Sequence, residues 1–284
     1  MAQFTNQARL SYNNTVVNSN VAVGEILEAL AATKTAVIET YSLGDSITYV
    51  ISAVNSGTTA LNGLTLTDDL GGYQFDDQTL YPLSYVEGSL RVFVNGLLVT
   101  APAVTAGPPL VINGLNIPAG GNIIVIYEAE LTQFAPLDTV DSITNTATLT
   151  GAALPNPITV AETVTPASEP ELTITKSIEP VPVTENGVVT YTFVIQNYGN
   201  TPVVATDNAT VSDLFDPILS NLAVSFNGTA WTEGADYTYD EATGLFTTVQ
   251  SQITVPAATY TRDPATGEVI ITPGVSTLVV SGTI

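Results

Sequence analysis

The sequence predicts an all-β protein built from tandem β-sandwiches, and three observations carry that expectation. Thr, Val, Ile and Tyr dominate, and many stretches alternate apolar with polar residues in the period-2 manner of half-buried strands. Turn dipeptides punctuate them: Asn62-Gly63, Asn95-Gly96, Asn186-Gly187 and Asn227-Gly228 suit the positive φ of tight hairpins. The third observation is length. The 284 residues are about twice the ~100–150 of a common domain, so two domains are expected.

Taken in order, residues 4–11 alternate through Phe4, Asn6, Ala8 and Leu10 as one strand would. Residues 25–33 are the one stretch with a helical look, through Ile26, Leu27, Glu28, Ala29, Leu30 and Ala31. Strand patterns then recur at 46–52, 122–128 and 188–194, with Ile47, Tyr49, Ile123, Val125, Tyr191 and Phe193 among the alternating apolar positions. Short strands with frequent turns argue for sandwiches of immunoglobulin-like type.

The chain also repeats itself. Lys34 lies 15 residues before Tyr49 and 21 before Asn55, and Lys176 lies 15 before Tyr191 and 21 before Asn197. Leu66-Thr67-Asp68 corresponds to Val211-Ser212-Asp213, and Val92 to Gly96 corresponds to Val224 to Gly228. The copies end differently. Repeat one continues past its strand near 123–131 into a further strand at 142–150, whereas repeat two stops at Ile284, within the counterpart of the earlier strand. The missing strand has a copy at the front of the molecule. Residues 4–11 match 143–150 position for position in apolarity, and each is followed by an apolar segment carrying a glutamate, Glu25 or Glu162. The expected organisation is therefore a donor strand or hairpin over 1–27, a complete sandwich over 28–165, and an incomplete sandwich over 166–284.

A sandwich without its last strand leaves backbone donors and acceptors unpaired along an apolar groove. A lone strand bearing Phe4, Asn6, Ala8 and Leu10 cannot bury those side chains alone. Insertion into a neighbouring copy, as in donor-strand complementation, remedies both defects. Such a head-to-tail contact propagates unless it closes into a ring, so the expected partner is a second copy and the expected product a filament. The alternatives are a disordered or packed tail and a self-closed monomer.

Lys34 and Lys176 are the only lysines, and they occupy equivalent positions. Asp68 corresponds to Asp213, and Asn145 to Asn6. A lysine, an aspartate and an asparagine meeting in a dry core can form an isopeptide bond, in which the amine attacks the carboxamide carbon and ammonia leaves. Burial favours uncharged forms of amine and carboxyl alike, and a protonated carboxyl can polarise the amide and shuttle protons. Fixed proximity supplies up to ~7–11 kcal/mol. The expectation is a Lys34–Asn145 bond within a subunit assisted by Asp68, and a Lys176–Asn6 bond between subunits assisted by Asp213. First and last strands are expected side by side. A buried Lys–Asp ion pair is the competing reading, and Glu128 or Glu130 compete as the acid of repeat one.

The run from Lys34 through Gly44-Asp45-Ser46 and Asn55-Ser56-Gly57 to Leu66-Thr67-Asp68, closing on Thr144-Asn145-Thr146, resembles the "conserved repeat domain" of unknown function found in tandem in bacterial surface and appendage proteins. Its layout is also similar to isopeptide-containing pilin and adhesin domains. The resemblance implies an immunoglobulin-like sandwich with a structural or adhesive extracellular role. Two features depart from such proteins: the start lacks the pattern of a secretory signal, and residues 281–284 carry no sorting motif. An extracellular or cell- or spore-surface location is expected, by an export route the sequence does not reveal; a spore-associated fibre released by lysis needs neither feature.

Composition narrows the competing functions. With 5 Lys+Arg against 27 Asp+Glu, a net charge of −22, binding to nucleic acid or anionic lipid through a basic surface is excluded. No apolar run reaches the ~20 residues of a membrane span, so no membrane insertion is expected. Zero Cys and zero His remove thiol nucleophiles, imidazole bases and nearly all zinc chemistry. No enzyme, cofactor or metal is expected; Asp68-Asp69 and Asp76-Asp77 lack a calcium-loop pattern. Beside the filament subunit stand an adhesion module, with Tyr73, Phe75, Tyr81, Trp231, Tyr237 or Tyr239 as contacts, and a phage or virion decoration protein.

Overall fold

The computed structural model describes residues 2–26 and 30–284. It is all-β, and the chain divides into two compact units: residues 1–132 with 143–164, and residues 133–142 with 165–284.

In the first unit one sheet runs Leu97–Val99, Arg91–Val94, Asn122–Leu131, Ser46–Asn55 and Leu30–Ala36. The other runs Val104–Thr105, Leu110–Ile117, Leu61–Asp68, Ile143–Thr150, Ile158–Pro166 and Thr40–Tyr41. Alternate residues of each sheet point into one core. Ile47, Tyr49, Ile51, Ile123, Val125 and Tyr127 come from the first sheet, and Leu64, Leu66, Ile112 and Leu149 from the second. Full burial of each aliphatic side chain stabilises by roughly 1.5–3 kcal/mol. The helical look of 25–33 is overturned: Leu30 to Thr33 belong to strand Leu30–Ala36, and Glu25 and Ile26 end strand Ala22–Ile26. Residues 27–29 lie outside the described residues. Pairing with Ser46–Asn55 fixes the backbone at 30–36, and tertiary pairing outweighs a small helix propensity.

The second unit repeats the first sheet as Leu172–Glu179, Val188–Asn197, Gly274–Thr283, Ser220–Phe226 and Thr229–Trp231. Its register is the same. Lys34 faces Ile51 and Leu30 faces Asn55, while Lys176 faces Phe193 and Leu172 faces Asn197. Both buried asparagines hold the same turn. The Asn55 amide donates to the carbonyls of Thr59 (2.9 Å) and Pro118 (3.0 Å), and the Asn197 amide to those of Thr201 (2.7 Å) and Pro256 (3.0 Å). The second sheet is different. It has three strands, Ser212–Leu214, Leu245–Thr248 and Tyr237–Asp240, with Ser212–Leu214 at its edge. In the first unit the corresponding Leu61–Asp68 is flanked on both sides, by Leu110–Ile117 and by Ile143–Thr150. Among the described residues, nothing pairs with the outer edge of Ser212–Leu214.

The amino-terminal residues form a hairpin. Ala2–Asn6 pairs with Ala22–Ile26, and Arg9–Tyr12 with Thr15–Asn18, closed at Asn13 and Asn14, whose φ values are 41° and 63°. Such a two-residue turn matches the twist of the strands it joins. Among its described side chains, Phe4, Leu10, Tyr12, Val16, Val17, Val21 and Val23 are exposed.

Candidate functional site

The inward phase of strand Leu30–Ala36 carries Leu30 and Lys34 into the core, so the period that makes this strand half-buried also buries an ammonium. Asp68, the last residue of Leu61–Asp68, arrives from the opposite sheet. Lys34 Nζ donates to Asp68 Oδ2 at 2.6 Å, with both side chains fully out of solvent. Tyr127, from Asn122–Leu131, donates its hydroxyl to the same Asp68 oxygen at 2.6 Å. Asn145, from Ile143–Thr150, donates its amide to the Tyr127 hydroxyl at 3.0 Å. One chain of hydrogen bonds thus runs Lys34, Asp68, Tyr127, Asn145. The main-chain N–H of Leu70 donates to Asp68 Oδ1 at 3.1 Å, so both carboxylate oxygens are held.

Leu30–Ala36 and Ile143–Thr150 lie in different sheets rather than side by side, correcting the expected adjacency. The amine and the carboxamide are gathered across the sandwich, through groups from both layers. Two buried polar atoms have no hydrogen-bond partner among the described residues: the Tyr49 hydroxyl and Asn145 Oδ1. An unpaired buried carbonyl oxygen costs roughly 1–3 kcal/mol, so this amide is held in an unfavourable environment.

Burial dominates the electrostatics. Desolvation lowers the Lys34 pKa from 10.5, opposed by the charge and hydrogen bond of Asp68 and by the more distant Asp69 and Glu162. It pushes the Tyr49 phenol well up, while the adjacent Asn145 amide pulls it back. Burial raises the Tyr127 phenol in the same way, reinforced by Asp68, so its proton is retained and available as a donor. A lysine with a lowered pKa, a carboxylate in contact and a carboxamide one phenol away are the parts that intramolecular aminolysis requires. Glu128 and Glu130 are exposed on the outward phase of their strand and do not enter the site.

The second unit brings together Lys176 and Asp213, which are hydrogen-bonded, with their side chains 39% and 19% exposed. The Lys176 ammonium stands over three rings, at 4.4 Å from Tyr191, 5.3 Å from Phe215 and 5.5 Å from Phe193. Cation–π attraction of this kind is worth about 0.5–1 kcal/mol at an exposed site. The register puts Tyr49 opposite Tyr127 and Tyr191 opposite Val280, so the second unit has no phenol at the bridging position. Asn6 is not brought to Lys176; its residue faces Ala22 within the hairpin. That register also sets Glu25 opposite Gln3, whereas Glu162 faces Asn145, so the two glutamates are not equivalent.

Sequence reasoning missed Tyr127 and Tyr49. Their signal was present in the alternation that places Ile47, Tyr49, Ile51 and Ile123, Val125, Tyr127 on inward phases, since a tyrosine among inward aliphatics needs a hydroxyl partner. The aromatic contacts expected of an adhesion module are otherwise employed. Tyr237 is buried against Phe246, Trp231 stacks on Phe226 at 5.0 Å, and the Tyr239 hydroxyl accepts from and donates to the Leu219 main chain. Tyr73, Phe75 and Tyr81 are half-buried.

No family model matches the chain, so the resemblance to the conserved repeat domain has none behind it, and no curated protein matches either. Solved structures resemble it at low identity. The pilus backbone of Streptococcus pneumoniae is 12% identical over 86% of this chain, with a TM-score of 0.36, and this chain covers 55% of it. The collagen-binding subdomain of the Enterococcus faecalis surface protein ACE is 8% identical, with a TM-score of 0.33, over 50% of this chain and 99% of its own. The collagen adhesin of Staphylococcus aureus is 11% identical, with a TM-score of 0.31, over 56% and 55%. The chain thus spans about half the length of the pilus backbone it resembles. No helix among the described residues is long and apolar enough to cross a membrane.

Proposed function

We propose that this chain is the structural subunit of a surface filament that assembles head to tail, the amino-terminal segment of one copy completing the second unit of the next. The observation that carries this reading is the open edge of Ser212–Leu214, at the position where Ile143–Thr150 closes the first unit. Opposite that gap, Leu172, Ile174 and Ile178 are 44%, 53% and 44% exposed, whereas their counterparts in the first unit are buried (Leu30) or half-buried (Ala32 and Ala36). The segment whose apolar pattern matches Ile143–Thr150 is residues 4–11, and it too is exposed. Two uncovered apolar surfaces, one on the amino-terminal hairpin and one on the second unit, favour mutual burial between copies. A contact of this kind is heterologous and leaves a free donor and a free acceptor after every addition. The filament acts outside the cell or on a spore surface and has no external substrate.

Covalent closure belongs to the same reading. In the first unit Lys34 passes a proton to Asp68, and its free Nζ attacks Asn145 Cγ. The new Nζ–Cγ bond forms as the Cγ–Nδ2 bond breaks; the proton held by Asp68 passes through the Tyr127 hydroxyl to the departing nitrogen, which leaves as ammonia, and Asp68 then takes the second Nζ proton, so that the new amide is neutral. The second unit performs the equivalent step between Lys176 and Asn6 of the incoming copy, with Asp213 as the acid.

Purified protein is expected to form long uniform fibres in electron micrographs. Those fibres, boiled in SDS, should give a ladder. Lys176→Ala and Asn6→Ala should each abolish the ladder while Lys34→Ala leaves it intact. A ladder indifferent to Lys176 would sink the covalent part of the reading, and isolated rods at every concentration would sink the filament.

A further inference from the structure

Resting on the filament reading, we infer that the gap in the second unit is two strands wide and is filled by the whole amino-terminal hairpin of a second copy, not by one strand. In the first unit, Leu61–Asp68 is not closed by Ile143–Thr150 alone. That strand pairs on its other side with Ile158–Pro166, which in turn pairs with Thr40–Tyr41. The closing element is a hairpin held between two fixed edges. The 142-residue offset that takes Lys34 to Lys176, Tyr49 to Tyr191 and Asn55 to Asn197 takes Thr40 and Tyr41 to Pro182 and Val183. Pro182 and Val183 form no strand, but Val183 packs against the second unit's core at the position the far edge would take. Both strands that stand between those edges in the first unit lack counterparts among the described residues of the second.

The hairpin over 2–26 is suited to that gap in three ways. It is already paired, so inserting it whole keeps both of its hydrogen-bonded ladders, whereas inserting residues 4–11 alone breaks them. A preformed insert also loses less conformational freedom on docking than a single flexible strand. Its two strands share a face: Phe4 with Gly24, Asn6 with Ala22 and Leu10 with Val17 are opposite residues. The Phe4 ring lies against Gly24, where a Cβ would meet its tip at 2.3 Å and the exposed ring would have to move. Finally, one arginine, Arg9, balances one glutamate, Glu25, across 2–26, so the hairpin enters a chain of net charge −22 without like-charge repulsion.

The first unit also supplies the register. Ala147 faces Asp68 and Thr148 faces Thr67. Transferred to the acceptor, Ala8 faces Asp213 and Arg9 faces Ser212 of the next copy, and the outgoing strand over 15–26 runs beside 181–183.

The chain has no cysteine, so introduced pairs report cleanly. In full-length protein carrying Lys176→Arg, which keeps the charge but cannot form the amide, oxidation of Arg9→Cys/Ser212→Cys should give a reductant-sensitive ladder. Val183→Cys, combined with single cysteines walked from Thr15 to Ala22, should give a second ladder from at least one position. A ladder from Arg9→Cys/Ser212→Cys with none from any Val183→Cys combination overturns the hairpin and leaves single-strand polymerisation standing. Fibres with neither ladder overturn the hairpin and its register. Protein that neither cross-links nor forms fibres overturns the filament itself.

Discussion

The two units hold the same lysine and aspartate in the same strand register, yet one pair is sealed from water and the other half open. In the first unit Ile143–Thr150 pairs beside Asp68, and Lys34 stands over one ring, Tyr49; in the second no strand pairs there, and hydrogen-bonded Lys176 stands over three rings. The difference teaches that the burial of such an ion pair depends on the strands around it as much as on the pair itself. Burial lowers the Lys34 pKa and makes a free amine accessible. Lys176 is partly solvated and stands over aromatic faces.

The widest separation between the units should come from removing the acid. Asp68→Ala leaves a buried ammonium unpaired and should cost the first unit about 3–5 kcal/mol in urea denaturation. Asp213→Ala, in monomeric protein at low concentration, should cost below about 1 kcal/mol, as expected of an exposed pair. Equal losses would break the comparison. Next, Leu10→Asp should raise the concentration at which fibres appear at least about tenfold, since burying an unpaired carboxylate forfeits more than 1.4 kcal/mol. The melting of isolated monomers should hardly move, and a parallel loss of monomer stability would mean the hairpin already serves its own chain.

The bridging phenol gives a finer test. Tyr127→Phe should slow release of ammonia in freshly translated protein by roughly tenfold or more, the low end of proton-transfer contributions. Val280→Tyr should speed the ligation of the second unit. The rate in the first unit should rise with pH, because the attacking amine must lose its proton, and should level off below 10.5, because burial has lowered the Lys34 pKa from that value. A rate still climbing past 10.5 would contradict a buried nucleophile. The smallest contrast is expected at the turns: Asn55→Ala and Asn197→Ala should cost similar amounts, about 1–3 kcal/mol each, since their amides make the same two turn-holding bonds.

Much of this was legible in the sequence. Alternation at 46–52 and 188–194 gave the inward phases, and the equal spacings from lysine to tyrosine to asparagine gave a register that the strand pairing reproduces residue for residue. The likeness of 4–11 to 143–150 was equally readable, because apolar pattern is a one-dimensional property. The helical look of 25–33 misled because local propensity cannot register a hydrogen-bonding neighbour some twenty residues away.

What the sequence determined by itself is which side of each strand is buried, since side chains alternate with a period of two whatever the strand meets. What only the tertiary structure decided is which strands lie opposite one another. That placed Asn145 across the core from Lys34 rather than beside it, set Tyr127 between Asp68 and the amide, and paired residues 2–12 with 15–26. Contacts between sheets depend on how layers stack and how strands order themselves, and no periodicity along one strand encodes either.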